Sequence, residues 1–230
     1  MSRDRKQASL RHRVAEARAP LEFASMLAAF PWLARGRRGD GHAVVVLPGY
    51  LAGDGSTVPL RSFLSMRGFR PLGWGAGRNP GFTSAIFGAV SELVRARAAD
   101  TNRPVGLVGW SLGGVYAREI ARRSPESVRC VVTLGSPIQV DERTRQAPPV
   151  PCTAIFSATD GVVAPYWAQE RNGQRSENIE VPASHFGLGY NPLVLHAIAD
   201  RLLQDPNAWE PFRAKGPTAR LYRADRPITR

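Results

Sequence analysis

The chain predicts an α/β fold, with one mostly parallel central sheet and helices on both faces. Three observations carry this. Short apolar runs rich in β-branched residues alternate with longer runs of helical period, the pattern of parallel strands joined by crossover helices. The first short run, Ala43-Val44-Val45-Val46-Leu47, is apolar throughout, as expected of a strand covered on both faces. The length, 230 residues at 43% hydrophobic content, suits one substantial core rather than two.

The elements follow in order. Residues 43–47 form a strand. Residues 57–66 form a helix ended near Gly68, and 69–74 a second strand. Residues 82–98 form a helix with Phe82, Ile86, Val90, Leu93 and Val94 on one face. A strand over 104–108 leads through a tight turn into a helix over 115–122. Residues 130–134, 153–158 and 178–181 are three more strands, and 191–203 is the closing helix. There is no internal repeat. The interval 138–151 is short, polar and proline-containing, which leaves no room for a large cap domain. The pocket is then open, or covered from elsewhere in the chain. The glycine-rich segment 74–81 is either a pocket rim or a plain connection.

The turn after residue 108 carries the chemistry. Gly109-Trp110-Ser111-Leu112-Gly113 stands between strand and helix. A serine on such a turn projects its hydroxyl away from the sheet, and the flanking glycines permit the sharp bend and close helix approach. The helix N-terminus, with its free N–H groups, is aimed at the same place. Ser111 is therefore the candidate nucleophile, and the N–H of Leu112 a candidate oxyanion donor.

A serine nucleophile needs a base, and the chain has four histidines. His12 lies in an arginine-rich segment that reads as solvated. His42 precedes the first strand, at the wrong end of the sheet. His196 lies within a helical run. His185 alone stands in a loop after a strand, where α/β sheets place functional groups. The orienting acid is Asp160, in the Asp160-Gly161 turn after the 153–158 strand. Asp141, after the preceding strand, is the rival, but its neighbours Glu142, Arg143 and Arg145 suggest a solvated loop. The order Ser111, Asp160, His185 is that of one serine-triad fold and not of others.

With these residues in view, the chain resembles a small α/β-hydrolase of the bacterial lipase and esterase kind, over roughly residues 41–203. The segment Pro48-Gly49-Tyr50-Leu51 is similar to the His-Gly-aromatic/aliphatic segment of those enzymes, with Pro48 in place of the histidine. The resemblance implies that Tyr50 supplies the second oxyanion N–H. Trp110 and Leu51, beside these groups, are the candidate substrate contacts. What it implies as function is cleavage of carboxylic esters through an acyl-enzyme, on a small-molecule or lipid ester. A thioesterase or acyltransferase would use the same triad. A non-catalytic binding protein of this fold and a basic membrane-associated protein are the alternatives from other classes.

The charge is concentrated at the ends. Residues 1–38 hold nine Lys/Arg against three Asp/Glu, +6 of the chain's +12, and residues 207–230 hold six against two. The expected organisation is a basic N-terminal segment (1–38), a catalytic domain (39–206) and a basic C-terminal tail (207–230). Such ends attract anionic surfaces without specificity. No zinc-finger spacing or RNP-type pattern points to sequence-specific nucleic-acid binding.

Between Pro20 and Pro31, residues Phe23, Met26, Leu27 and Phe30 give one apolar helix face. That face serves core docking, a lid or a membrane contact equally well. It is too short to span a bilayer, and no secretory signal is visible, so the expected location is cytoplasmic, with peripheral membrane contact through the N-terminus as a variant. Cys130 and Cys152 begin consecutive strands and are expected as free thiols. No metal-ligand spacing is present, and the chemistry requires no cofactor. The sequence leaves the oligomeric state open.

Overall fold

The computed structural model describes residues 10–171 and 173–224. Its seven strands are β1 (Ala43–Leu47), β2 (Arg70–Gly73), β3 (Val105–Trp110), β4 (Val128–Leu134), β5 (Cys152–Phe156), β6 (Ser176–Glu180) and β7 (Arg223–Ala224). They make one sheet in the order β2-β1-β3-β4-β5-β6-β7. The first six strands are parallel, and β7 lies antiparallel against β6. Strands β1, β3 and β5 are buried at every position, whereas β6 alternates between buried and half-buried.

The helices are α1 (Leu10–Ala15), α2 (Ala19–Ala28), α3 (Phe30–Ala34), α4 (Val58–Met66), α5 (Ser84–Thr101), α6 (Leu112–Arg123), α7 (Glu142–Arg145) and α8 (Pro192–Leu203). Alternate residues of β1 serve opposite faces of the sheet. Val44 and Val46 pack with Leu60, Phe63 and Leu64 of α4 and Val194 and Ile198 of α8. Ala43, Val45 and Leu47 pack with Val90 and Val94 of α5 and Tyr116 and Ile120 of α6. Cys130 belongs to the first core and Cys152 to the second, so the two free thiols point to opposite faces. Burial pushes the Cys130 thiol up to about 11 and the Cys152 thiol well above its ordinary value.

Helix limits follow local chemistry. Thr83 caps α5 by accepting from the Ile86 N–H, and Asn102, in the left-handed conformation, ends it. The interval between β4 and β5 holds only the four-residue α7, so no cap domain is inserted there. Among the described residues no helix is long and apolar enough to cross a membrane.

Toward both ends, the described residues differ from expectation. The single helix expected up to Pro31 is two, broken at Ala29, with Pro31 in the first turn of α3, where its missing N–H costs nothing. The break splits the apolar face. Met26 and Leu33 enter the core and Phe23 meets Tyr190 edge-on at 5.5 Å, while Leu27 stays 59% exposed. The C-terminal stretch, read as a tail, adds β7 and buries Phe212 and Tyr222 against α8. The Phe212 N–H donates to Glu177 Oε2 at 2.6 Å and the Tyr222 hydroxyl to the Leu193 carbonyl at 2.9 Å.

Candidate active site

The turn between β3 and α6 holds Ser111 at φ 52° and ψ −122°. A non-glycine residue there costs on the order of 1–3 kcal/mol, so surrounding packing must impose it. The imposing contacts are visible. A Cβ at Gly109 would strike the Gly114 backbone, and one at Gly113 the Leu47 carbonyl. The Ser111 N–H donates to the Leu134 carbonyl at 2.8 Å, whereas the Leu112 N–H, at the start of α6, has no acceptor among the described residues.

The loop after β1 lies against this turn, since a Cβ on Gly49 would be 3.2 Å from Ser111 Cβ. β1 and β3 are neighbours from which the sheet grows in opposite directions, the place where open α/β sheets form their crevice. The Tyr50 N–H also lacks an acceptor among the described residues, while the Leu51 N–H is taken by the Asn79 carbonyl at 2.7 Å. Tyr50 and Leu51 are 59% and 48% exposed, and Leu51 has φ 58°. Asn79, buried, donates its amide to the Pro48 carbonyl at 2.9 Å and its N–H to the Ala52 carbonyl at 2.8 Å. Asp54 accepts from the N–H groups of Trp74 (2.9 Å) and Gly75 (3.1 Å). The glycine-rich segment is thus fastened to the Pro48–Ala52 loop rather than a loose connection. Sequence reasoning missed Asn79.

Asp160 follows β5 and His185 follows β6. Both are buried, and His185 Nδ1 lies 2.7 Å from Asp160 Oδ2. Asp160 Oδ1 accepts from the N–H groups of Val162 (2.8 Å) and Val163 (2.7 Å), so both carboxylate oxygens are engaged. Gly135, directly after β4, passes so close that a Cβ would be 2.9 Å from Asp160 Oδ2 and 3.1 Å from His185 Nδ1. The pair therefore abuts the strand end whose Leu134 carbonyl holds Ser111. Ser111 Oγ and His185 Nε2 carry no hydrogen bond among the described residues. Trp110, expected as a substrate contact, is nine-tenths buried and donates its indole N–H to the His185 carbonyl at 3.1 Å.

The rivals are elsewhere. Asp141 caps α7, and the Thr144 N–H on its carboxylate, at 2.7 Å, holds it below the ordinary carboxylate range. His42 is buried against Asp40 at 2.6 Å, with burial pulling its pKa down. His196 lies against Trp32, the rings tilted at 36° with centroids 4.9 Å apart. His12 is half-buried rather than solvated, with its carbonyl against Gly161.

Sequence reasoning also missed two carboxylates of the N-terminal segment. Glu16 accepts from the N–H groups of Gly161, His185 and Phe186. Glu22 accepts from the N–H and hydroxyl of Ser184. Their only signal in the sequence is that they stand as acidic residues in a basic stretch.

No family model matches the chain. Solved structures share its architecture. Lipase B of Aspergillus fumigatus superposes with a TM-score of 0.62 at 16% identity, over 72% of this chain and 53% of that one. The monoacylglycerol lipase of Paleococcus ferrophilus gives 0.57 at 13% identity, over 73% and 97%. The type II thioesterase of the borrelidin biosynthetic cluster gives 0.52 at 17%, over 73% and 94%. The match thus spans about half the length of the fungal lipase. The chain has the α/β-hydrolase fold.

Proposed function

We propose that the protein is a serine hydrolase that cleaves carboxylic esters through an acyl-enzyme. The observation that carries this reading is the buried Asp160–His185 hydrogen bond of 2.7 Å, tied through Trp110 to the strained turn that bears Ser111. In this reading Ser111 Oγ attacks the acyl carbonyl, and His185 Nε2 takes its proton and returns it to the leaving alkoxide. Asp160 fixes the tautomer that keeps hydrogen on Nδ1 and stabilises the imidazolium. The free N–H groups of Leu112 and Tyr50 receive the oxyanion. Water, activated by the same histidine, then releases the acid.

A thioesterase would use the same groups, and the likeness to a thioesterase at TM-score 0.52 supports keeping that second reading. Paired acyl oxyesters and thioesters of equal chain length separate the two by kcat/KM. In either case Ser111→Ala should lower turnover on the order of 10³-fold or more with the fold retained. Undiminished turnover by the variant would overturn both readings by placing the nucleophile elsewhere, whereas a wild type with neither turnover nor covalent labelling would leave a non-catalytic binding protein of this fold.

A further inference from the structure

We propose that Glu16 and Glu22 are positioning residues, two carboxylates of the N-terminal segment that hold the acid loop and the histidine loop in register with each other. The proposal rests on the Ser111–His185–Asp160 reading above and extends it to residues far away in sequence.

The contacts bracket the acid and the base. Glu16 Oε1 accepts from the N–H of Gly161 at 2.8 Å and of His185 itself at 2.9 Å, and its Oε2 accepts from Phe186 at 3.2 Å. One carboxylate thereby joins the residue after Asp160 to the backbone of His185. Glu22 Oε1 accepts from the Ser184 N–H at 2.8 Å, and Oε2 from the Ser184 hydroxyl at 2.7 Å. The same hydroxyl oxygen accepts from the Gly187 N–H at 2.9 Å. Arg18 completes the set, donating to Glu22 at 3.1 Å and to Thr159 Oγ1 at 2.7 Å.

Three side chains thus fix residues 159, 161, 184, 185 and 186 on either side of Asp160 and His185. The shape of the loops agrees. A Cβ on Gly187 would overlap the Glu22 carboxylate, and one on Gly161 would lie 2.8 Å from Glu16 Cγ. A helix that only covered the core would have no use for these acids. α2 covers the core with Met26 and turns Glu22 into the loops instead. Hydrogen bonds to an ionised acceptor are roughly twice as strong as neutral ones, which suits a clamp on loop backbone. No cap domain is inserted between β4 and β5 to support these loops, and the N-terminal segment supports them.

The test uses the full chain with Glu16→Gln, Glu22→Gln and the double variant, which keep side-chain size but remove the charge. Steady-state kinetics are read on a short p-nitrophenyl ester well below the melting temperature. The double variant should lose kcat about 10- to 100-fold, with KM within about twofold, because loosening the base by even about 1 Å carries losses of that order. Labelling of Ser111 by a fluorophosphonate should slow in parallel. A double variant with wild-type kcat per folded molecule, whatever its melting temperature, overturns the proposal.

If the glutamine variants do not fold, Arg18→Ala carries the test, since it frees Thr159 while leaving both carboxylates. It should lower kcat severalfold, and an unchanged kcat again overturns the proposal. Ser111→Ala, run in parallel, separates the two levels. Labelling that persists in it defeats the underlying site reading, whereas labelling that vanishes while the glutamate variants behave as wild type defeats this inference alone.

Discussion

On the β1 and β3 side of the candidate site, Ser111 and Leu51 hold left-handed backbone angles, and the residues that impose them are near in sequence or on adjacent strands. On the β5 and β6 side, Asp160 and His185 are buried in relaxed loops whose backbone is bound by side chains 141 to 170 residues earlier in the chain. The Ser111 half is held by packing against glycine, and the Asp160–His185 half by the carboxylates of Glu16 and Glu22. The first half announces itself in a short motif, and the second exists only once the chain has folded back on itself. Strain is affordable on one side because α6 and β1 leave the turn no alternative. Precision on the other side comes from hydrogen bonds that the loops could not make alone.

The sharpest way to break this comparison lies in the two carboxylates that follow adjacent strands. Asp160→Asn should lower kcat by about 10³- to 10⁴-fold, because an amide favours the wrong imidazole tautomer. Asp141→Asn should leave kcat within about twofold and the melting temperature nearly unchanged, since asparagine caps a helix as well as aspartate does. Steady-state kinetics with matched melts decide it, and equal losses would show that the acid comes from the wrong strand.

Trp110 links the halves, and Trp110→Phe keeps an aromatic, though smaller, side chain while removing the donor to the His185 carbonyl. One buried hydrogen bond of about 1–1.5 kcal/mol corresponds to roughly a tenfold fall in kcat with KM steady. A rise in KM at constant kcat would instead return Trp110 to the role of a substrate contact.

The smallest effect is expected at Leu51. Glycine accepts φ 58° without steric cost, so Leu51→Gly should raise stability by about 0.5–1 kcal/mol, the left-handed penalty less the entropy of the added glycine. If the half-exposed leucine meets the acyl chain, the same change should weaken long-chain esters more than acetate. A destabilised variant in urea titration would mean that the loop depends on that side chain rather than tolerating it.

What the sequence disclosed follows the same division. β1, β3 and β5 were legible because they are apolar or nearly so, with Thr153 the one polar side chain, and Ser111 because strand, turn and helix are contiguous. Asp160 and His185 could be chosen by position after strands, without sight of what holds them. β7 was not legible, since two residues added antiparallel at a sheet edge carry no period. Phe212 and Tyr222 were hidden in a stretch whose charge suggested solvent. Glu16 and Glu22 look like solvated acids on short helices, and no local spacing reveals partners in loops so distant. The apolar face of the N-terminal segment, read as docking, lid or membrane contact, gave no sign of the contacts that Glu16, Arg18 and Glu22 make with the loops after β5 and β6.

Every role proposed for the site depends on Ser111 being the nucleophile. That assignment is tested most directly by reacting the full chain with a fluorophosphonate and mapping the adduct by peptide mass spectrometry. One adduct per chain is expected, on the peptide containing Ser111, absent from Ser111→Ala and formed much more slowly in Asp160→Asn. An adduct on another residue, or labelling of Ser111→Ala at the wild-type rate, would contradict it.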